Sequence, residues 1–373
     1  MDKVGVIAEY NPFHNGHLYH LNKVKEMFPG SFLILILIGN FTQRGDVSVI
    51  NKWDKTKIAL DYGFDLVVEL PFNLSCSSAN YYAEGSIKLL DMLSCNYLVF
   101  GSESNDIEMF KKVVNITKNN KEYEEKIKYY LSKGYNYPKA CSLALKSISN
   151  IIIDKPNDVL GLEYVRSIDK MGSRIKPISI KRTNNYHEDD IKSNITSATS
   201  IRNNLDNKKL IEKALPKGVI NKINNISLNN YFNLLRYEII KNDNLKDISD
   251  VNEGIENKLK KEILNVNSID ELILKVKSKR YSYNRIKRML LHILIGLKKD
   301  YDKEINYIRV LGFSDNGKKI LKEVKKDISI PIITKYKKEY NHLFKNDIKA
   351  SKIYSLITNY DYKLEFRSSI KKD

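Results

Sequence analysis

The sequence predicts an α/β protein whose first half is a doubly wound parallel sheet and whose second half is mainly helical. In the first half, short apolar runs alternate with segments of helical periodicity, and the turns between them are short and polar. One of these runs, Phe32–Ile38, is apolar at every position, as a strand buried on both faces requires. Strands and helices in this alternation are typical of a sheet with right-handed crossovers.

Five strands are predicted in the first half, and most of them end in a polar or glycine-containing turn. They cover residues 4–8, 32–38, 65–70, 97–102 and 175–180. The helices between them cover residues 18–27, 52–62, 81–93, most of 106–147, and 159–169, the last with Asp158 as its N-cap. In such sheets ligands bind beyond the carboxyl ends of the strands. We therefore expect the turns at 11–17, 39–45 and 101–103 to face one site.

The second half has the periodicity of four helices, at residues 229–241, 252–264, 269–277 and 283–297. Two further apolar runs, at 307–313 and 330–333, flank a basic helix, and we expect them to form a small separate sheet. A chain of 373 residues is long for one domain. We therefore predict two domains, residues 1–205 and residues 206–373.

The charge of the chain indicates a polyanionic partner. The formal net charge is +18 and the isoelectric point is near 9.4, values that are typical of nucleic-acid-binding proteins. A coding bias toward Lys, Asn and Ile explains part of this charge equally well, and charge alone does not decide between the two explanations.

The densest basic stretch, residues 275–288, alternates lysine and arginine with tyrosine. Such a pattern suits an RNA loop, because the cations follow the phosphates and the rings stack on unpaired bases. The alternative is an ordinary solvated helix face. The candidate RNA-binding residues are Lys279, Arg280, Tyr281, Tyr283, Arg285, Lys287 and Arg288.

Several classes of protein are excluded by the sequence. The three cysteines stand far apart, which argues against a zinc site or disulfide framework and fits a reducing cytoplasm. The acidic stretch around His187 is better explained as a solvated loop than as a metal site. The N-terminus has no signal peptide, and the longest apolar run is too short to cross a bilayer. We expect a cytoplasmic protein without a membrane or metal partner.

The first predicted strand runs into a turn and helix that contain His14, Asn15, Gly16 and His17. The first turn of a helix leaves backbone N–H groups unpaired at the positive end of the helix dipole, where a phosphate is stabilised. Two imidazoles three residues apart can then stabilise charge at phosphorus. The alternative is a pair of solvated loop histidines, but the position directly after the first strand favours a phosphate site.

A second phosphate-binding pattern follows the last predicted strand. Ser197 and Ser200 lie just before or within the start of a helix, and Arg202 follows with a forked donor. By itself this pattern is a plain helix N-cap. Together with the histidine motif it indicates a nucleotide held between two helix starts.

The two motifs together mark the nucleotidylyl-transferase superfamily. Seven sequence blocks, in order, resemble the bacterial tRNA(Met) cytidine acetate ligase family over residues 1 to about 205. They are E-Y-N-P-F-H-N-G-H, T-Q-R-G, D-L-V-V-E-L-P, F-G-S-E, Y-P, K-P-N-D-V-L-G and S-A-T-S-I-R. The resemblance implies a Rossmann-like nucleotidyltransferase domain followed by a helical tRNA-binding domain.

The resemblance also implies a reaction. ATP, with Mg²⁺ carried on its phosphates, would activate acetate as acetyl-adenylate. The acetyl group would pass to N4 of the wobble cytidine of elongator tRNA(Met), giving N4-acetylcytidine, AMP and diphosphate. No DNA partner is expected.

By the same resemblance, His14, His17 and Arg202 would be catalytic, and Glu9 and Glu103 are only candidates for a general base. The implied ATP-binding residues are Ile7, Ala8, Glu9, Tyr10, Asn11, Pro12, Phe13, His14, Asn15, Gly16, His17, Leu18, Tyr19, His20, Gly101, Asn157, Arg182, Ser197, Ser200 and Arg202.

Two other functions stay open at this point. A small-molecule nucleotidyltransferase would use both phosphate motifs but would leave the basic second half without a role. An RNA-binding protein with an inactive nucleotide fold is disfavoured, because His14, Gly16, His17 and Arg202 are all present.

Overall fold

The computed structural model describes residues 1–182 and 196–372, and their strands form a single eight-stranded mixed sheet. Its order is β5-β4-β1-β2-β3-β6-β7, with β8 also paired to β6. The strands are β1 Lys3–Ala8, β2 Phe32–Ile38, β3 Leu66–Leu70, β4 Tyr97–Ser102, β5 Lys176–Lys181, β6 Ile308–Phe313, β7 Ile332–Ile333 and β8 Ile370–Lys371.

The first five strands are parallel, which confirms the predicted doubly wound sheet. β1 pairs with β2 on one side and with β4 on the other, so the strand order reverses at β1. A crevice opens beyond the carboxyl ends of the strands at such a reversal, and ligands bind there in open α/β sheets. The segment after β1, which carries His14 and His17, lies at this point.

The small separate sheet predicted for residues 307–313 and 330–333 is wrong. β6 instead pairs antiparallel with β3, with Leu66 opposite Phe313, and both β7 and β8 pair with β6. All five residues of β3 are buried, so an open outer edge there would expose a strongly apolar strand. The chain from residue 308 onward therefore completes the N-terminal sheet. The domain boundary near residue 205 stays a prediction.

Most α-helices overlap those predicted from periodicity, but α3, α10 and α16 were not predicted, the stretch 106–147 forms three helices, and α8 begins at Pro156 and not at residue 159. Their bounds are α1 Asn15–Met27, α2 Lys52–Asp61, α3 Phe72–Ser75, α4 Ala79–Met92, α5 Ile107–Thr117, α6 Lys121–Ser132, α7 Tyr137–Ser149, α8 Pro156–Met171, α9 Ala198–Asn203, α10 Lys208–Glu212, α11 Leu228–Lys241, α12 Ile255–Glu262, α13 Ile269–Val276, α14 Tyr283–Ile295, α15 Asp315–Val324 and α16 Lys345–Ile357. Short 3₁₀ turns occupy 220–222, 245–247, 263–265, 338–340 and 362–366.

The side chains of β2 alternate between the two faces of the sheet, as the two-residue period of a strand requires. Leu33, Leu35 and Leu37 join a core that extends into α11, α14 and α16. The intervening isoleucines join a second core with α4, α5 and α8. α11, α14 and α16 therefore cover one face of the sheet, whereas α15 contributes Ile320 and Val324 to the core on the other face. No helix in the described ranges is long and apolar enough to span a membrane.

A buried ionic cluster joins the sheet to the end of the chain. The Lys52 ammonium lies 2.7 Å from a Glu69 oxygen and 2.6 Å from a Glu365 oxygen, and Arg309 lies 2.9 Å from Glu365. All four side chains are at least 94% buried, and Tyr360 donates a hydrogen bond of 2.7 Å to Glu365. Glu69 is the glutamate of the D-L-V-V-E-L-P block, so this part of the block has a structural explanation.

Candidate active site

The segment between β1 and α1 is held by buried aromatic rings. Tyr10 takes a left-handed backbone conformation (φ +46°), and the following Asn11–Pro12 peptide bond is cis. Tyr10 and Phe13 are both buried, and their ring centroids lie 4.8 Å apart. This packing fixes the path of the chain, so that His14 becomes the N-cap of α1.

The two histidines cap the helix with their own side chains. The Gly16 N–H donates a hydrogen bond of 3.0 Å to His14 Nδ1, and the His14 N–H donates one of 3.3 Å to His17 Nδ1. A ring nitrogen that accepts a hydrogen bond carries no proton, so a neutral imidazole in this position has its proton on Nε2. In this tautomer each ring has an Nε2–H donor, and the ring centroids lie 3.9 Å apart; His17 also has a hydrogen-bonding interaction with the Pro12 carbonyl.

The electrostatic surroundings keep these rings neutral. Burial, followed by the charges of Arg182 and Arg202, lowers the pKa of His14 to about 3. Burial lowers the pKa of His17 well below its ordinary value, and His14 and Arg182 lower it further. Burial and Arg182 lower the pKa of His20 to about 4. The site therefore offers neutral hydrogen-bond donors flanked by two permanent cations.

The expectation that the first-turn backbone N–H groups are unpaired is wrong. Asn15 N–H donates to the Ala214 carbonyl at 3.0 Å, and His17 N–H donates to the His14 carbonyl at 2.8 Å. Gly16 N–H is used in the cap described above. Two buried nitrogens, Asn11 Nδ2 and His20 Nε2, have no partner within the described residues. Side chains and not backbone amides are therefore the groups that can meet a phosphate in this structure.

The second phosphate motif lies against the first, as predicted. Arg202 donates a hydrogen bond of 2.8 Å from Nη1 to the Asn11 carbonyl and one of 3.1 Å from Nη2 to Thr199 Oγ1. Ser197 is the N-cap of α9 and accepts from Ser200 N–H at 3.0 Å. The Ser197 hydroxyl therefore has the capping role that was its alternative explanation, while Arg202 joins the two motifs directly.

Three further predicted residues, Gly101, Asn157 and Arg182, lie in or next to the carboxyl ends of β4 and β5. The side chain of Arg182 lies over Gly101, since a Cβ built on Gly101 would be 3.4 Å from Arg182 Cγ. Asn157 is in the first turn of α8 and donates a hydrogen bond of 2.6 Å to Glu103. The remaining predicted positions are half-buried at the end of β1 or in α1: Ile7, Ala8, Glu9, Leu18, Tyr19 and His20.

The side chains of Glu103 and Asp158 each accept a hydrogen bond from the backbone N–H of the other residue. Glu103 accepts from the Asp158 N–H at 2.9 Å, and Asp158 accepts from the Glu103 N–H at 2.9 Å. Asp158 is therefore buried inside the first turn of α8. The prediction that Asp158 is the N-cap of this helix is wrong, because Lys155 holds that position. Because Glu103 is used to hold the start of α8, it is a poor candidate for a general base.

A buried lysine at this edge was missed by sequence reasoning. Lys55 donates from Nζ to the carbonyl oxygens of Glu9, Ile38 and Gly39 at 2.9, 2.8 and 2.7 Å. Burial lowers the pKa of Lys55 to about 7. It binds the ends of β1 and β2 together behind the histidine motif. The sequence signal for this buried lysine was its position three residues after Lys52, on a helix that is mostly buried.

The predicted RNA-binding stretch divides into buried and exposed residues. Tyr281 is 5% exposed and donates to the Asn252 carbonyl at 2.7 Å. Arg288 is 11% exposed and donates from Nε to Asp250 at 2.9 Å. Tyr283 donates to Asp270, and Arg285 stacks on Tyr281 with 4.2 Å from Cζ to the ring centroid. The exposed cations of the stretch are Lys275, Lys277, Lys279 and Arg280; Lys275 lies 3.7 Å from Glu262 and Arg280 lies 3.5 Å from Glu253.

The same stretch lies against the site-facing turn after β2. Lys287 forms an ion pair with Asp46. A Cβ on Gly45 would lie 2.9 Å from the Arg288 Cα, and Gly45 has a φ of +84°. A glycine is therefore required at this position both for its conformation and for the close approach of α14.

The fold and the paired motifs define a nucleotidyl transferase. The profile of the family described as HIGH Nucleotidyl Transferase matches residues 1–368. A tRNA(Met) cytidine acetate ligase from Caldicellulosiruptor saccharolyticus is 40% identical over 378 residues, 95% of this chain and 94% of that protein. One from Clostridium novyi is 40% identical over 395 residues, 99% of each chain. The chain belongs to the tRNA(Met) cytidine acetate ligase family.

Two solved structures match the whole chain at 30% identity. They are crystal structures of Thermotoga maritima TmcAL, one without ligand (TM-score 0.91) and one bound with alpha-thio ATP (TM-score 0.89). Each match covers 100% of both chains.

Proposed function

We propose that the protein is an ATP-dependent tRNA(Met) cytidine acetate ligase. It activates acetate as acetyl-adenylate and transfers the acetyl group to N4 of the wobble cytidine of elongator tRNA(Met), in the cytoplasm. The observation that carries this proposal is the convergence of two neutral imidazoles with Arg182 and Arg202 at the reversal of the sheet. Membership of the family and the ATP analogue bound to the Thermotoga protein support ATP as the substrate.

In the first step a carboxylate oxygen of acetate attacks the α-phosphorus of ATP, and diphosphate leaves. Negative charge grows on the phosphate oxygens during this displacement. The Nε2–H groups of His14 and His17 donate to these oxygens, and the guanidinium of Arg202 supplies fixed positive charge. The rings need no reorganisation, because the helix cap already holds them in one tautomer.

Mg²⁺ is implied as the ion of the nucleotide. In the described part of the chain no group of three or more His, Cys, Asp or Glu side chains stands together as a metal site. The phosphates of ATP would therefore be its main ligands, and the ion would supply charge neutralisation for the leaving diphosphate.

In the second step the N4 nitrogen of cytidine attacks the acetyl carbonyl carbon, and AMP leaves. No enzyme nucleophile is needed, because the mixed anhydride already has a good leaving group. The site must place the amine near the anhydride and exclude water.

The RNA partner is supported by the charge of the chain and by its exposed cations. Lys279 and Arg280 lie in the loop before α14, and α14 packs against the turn that reaches the site. Phosphates of a bound RNA can therefore lie on the same side of the molecule as the reacting groups.

The test is nucleoside analysis of elongator tRNA(Met) incubated with the protein, ATP and labelled acetate. We expect labelled N4-acetylcytidine, with AMP formed in equal amount. Transfer of the nucleotide to a small acceptor, without label in the tRNA, would overturn the proposal in favour of a small-molecule nucleotidyltransferase.

A further inference from the structure

A cavity of about 700 Å³ lies between the sheet and the helices of the second half. The sheet contributes the turn from Gly45 to Val49. The opposite walls come from residues 202–232 and from the start of α13, with Lys287 of α14 at one side. Cavities of this size are typical of sites for nucleoside-sized ligands.

The cavity directly adjoins the ATP site. Arg202 lines the cavity, and its guanidinium donates to the Asn11 carbonyl at 2.8 Å. Asn11 Oδ1 in turn accepts a hydrogen bond of 2.8 Å from the N–H of Val49, another lining residue. The wall of the cavity and the segment that carries the histidine motif are therefore joined by two hydrogen bonds through Asn11.

One polar group of a residue in the cavity wall has no partner. The side chain of Tyr231 is 97% buried, it lines the cavity, and within the described residues its hydroxyl makes no hydrogen bond. Buried hydroxyl groups are normally hydrogen-bonded. The hydroxyl oxygen itself is fully buried, so a ligand with a polar edge would supply the missing partner only after a turn of the side chain.

Asp46 is an acidic group of the cavity wall, and the charge of Arg202 acts on its carboxylate. Burial alone would raise its pKa, but Lys287 and Arg202 outweigh burial and hold the pKa below its ordinary value. Asp46 is therefore an ionised carboxylate at neutral pH, and a carboxylate accepts hydrogen bonds only. The lining also contains Val47, Ile223 and Phe232, which provide apolar surface for an aromatic ring.

We propose that this cavity receives the acceptor base of the RNA, turned out of its stack, and that Asp46 accepts a hydrogen from its exocyclic amino group. The inference rests on the proposed function. It identifies the ligand as a nucleobase with an amino group on the edge that faces Asp46.

Acetyl transfer replaces one bond to the acetyl carbon by another. The amino nitrogen forms a bond to the acetyl carbon, and the bond from that carbon to the adenylate oxygen breaks, so that AMP leaves with the electron pair. The nitrogen carries a positive charge in the tetrahedral intermediate, and its proton passes to Asp46 and then to solvent. An ionised carboxylate with a low pKa suffices, because a protonated nitrogen of this kind is strongly acidic.

Lys287 links this step to RNA binding. In the free protein it is paired with Asp46. A phosphate of the RNA competes for the lysine ammonium; when the lysine leaves, the carboxylate is free for the amino group, and its pKa rises because Lys287 is the main group that lowers it. Asp46 therefore acts on the amine when RNA is bound.

The first test is the Asp46→Asn variant of the full chain, with the two half-reactions measured separately. We expect acetyl transfer to tRNA to fall roughly 100-fold, the usual effect of removing a general base. Acetate-dependent exchange of labelled diphosphate into ATP should change far less. The matched control is Asp54→Asn, which breaks a similar half-buried pair with Lys222 (2.9 Å) outside the cavity.

The second test is Tyr231→Phe. Because the hydroxyl has no partner among the described residues, we expect the variant to unfold at the same or higher urea concentration, while KM for tRNA rises several-fold. If the hydroxyl of Tyr231 had only a structural role, KM for tRNA would not rise while the stability to urea stayed the same.

The outcomes divide cleanly. If the wild-type protein acetylates tRNA and both variants transfer acetyl at the wild-type rate, the cavity inference is wrong. An equal loss of both half-reactions in Asp46→Asn would also overturn it, by placing Asp46 in adenylate formation. If the wild-type protein forms no N4-acetylcytidine, the proposed function itself fails.

Discussion

His14 and His17 each have two roles that one side chain seldom combines. Helix N-caps are normally Ser, Thr, Asp or Asn. Here an imidazole nitrogen takes the place of that oxygen, and the opposite ring nitrogen remains a donor toward the crevice. The cap therefore fixes the tautomer that the chemistry needs.

The two roles of His14 can be separated by His14→Asn. Asparagine is a strong N-cap, so we expect the free energy of unfolding to change by less than about 1 kcal/mol. Loss of the Nε2–H donor should lower the rate of acetyl-adenylate formation roughly 10²- to 10³-fold. Urea unfolding and acetate-dependent diphosphate exchange measure the two effects.

His14→Ala serves as the comparison, because it removes both the cap and the donor. It should lose the same activity and unfold at lower urea concentration than His14→Asn. Equal activity of His14→Asn and wild type would contradict the role of the imidazole as a donor.

The lowered pKa values of the site histidines predict how stability depends on pH. His14 has a pKa of about 3 in the folded protein and about 6.5 when unfolded, so the unfolded chain binds more protons between these values. Stability is therefore complete above pH 6.5 and is lost as the pH falls. At pH 5 the loss from His14 alone is about 2 kcal/mol.

Urea unfolding at pH 7 and pH 5 checks this prediction, and His17 and His20 add to the effect in the same direction. The His14→Asn variant should show a smaller loss over the same interval. A midpoint that stays constant between pH 7 and 5 would contradict the neutral, buried state of these rings.

At this scale the sequence predicted which side chains meet, but not which of their atoms are already used. The meeting of Arg202 with the histidine motif followed from the positions of both motifs at strand ends. The pairing of the Asn15 N–H with the Ala214 carbonyl could not be foreseen, because it depends on a loop distant in sequence. The acidic stretch around His187 lies outside the described residues.

At the level of elements, the basic stretch before and within α14 shows how one pattern serves two purposes. Its tyrosines and Arg288 hold the loop and helix in place, as described above. Lys279 and Arg280 are exposed. Composition alone could not separate the two groups, because lysine, arginine and tyrosine all combine an apolar stem or ring with a polar end.

The double variant Lys279→Ala, Arg280→Ala tests the exposed part. We expect weaker tRNA binding and a plot of log K against log salt that is shallower by about two, one for each lost phosphate contact. Diphosphate exchange should be unaffected. Binding measured between 50 and 200 mM salt gives the slope.

The control removes the same number of charges from α15, as Lys318→Ala with Lys319→Ala, both of which are exposed. A similar change of slope in both double variants would mean that only the total charge matters. Arg288→Ala is unsuitable for this test, because it leaves the mostly buried Asp250 without its arginine.

On the scale of the whole molecule, the buried cluster of Lys52, Glu69, Arg309 and Glu365 holds the last part of the chain to the sheet. Burial alone would raise the pKa of Glu365, but Lys52 and Arg309 outweigh it and hold that pKa at about 2. Removing one charge leaves its partners buried and uncompensated.

We therefore expect Glu365→Gln to lower the free energy of unfolding by about 3 to 5 kcal/mol. The exposed pair of Glu339 with Lys337 provides the control, since Glu339→Gln should cost less than about 1 kcal/mol. Urea unfolding of both variants gives the comparison. A Glu365→Gln variant as stable as wild type would show that the cluster contributes little.

The sequence predicted the parallel sheet because each of its strands carries its own apolar run and its own turn. It could not predict the partner of β6. An apolar run such as 307–313 records that a strand is buried, but the identity of its neighbour depends on which edge of the sheet is left open by the rest of the fold. The open edge here was that of β3.

The pairing of β6 with β3 also means that β3 is synthesised long before its partner strand. β3 leaves the ribosome early, and its outer backbone edge has no strand to pair with until residues 308–313 follow. An unpaired, apolar edge of this kind readily joins other chains. We therefore expect the growing polypeptide to carry an aggregation-prone edge from the synthesis of β3 until residues 308–313 have emerged.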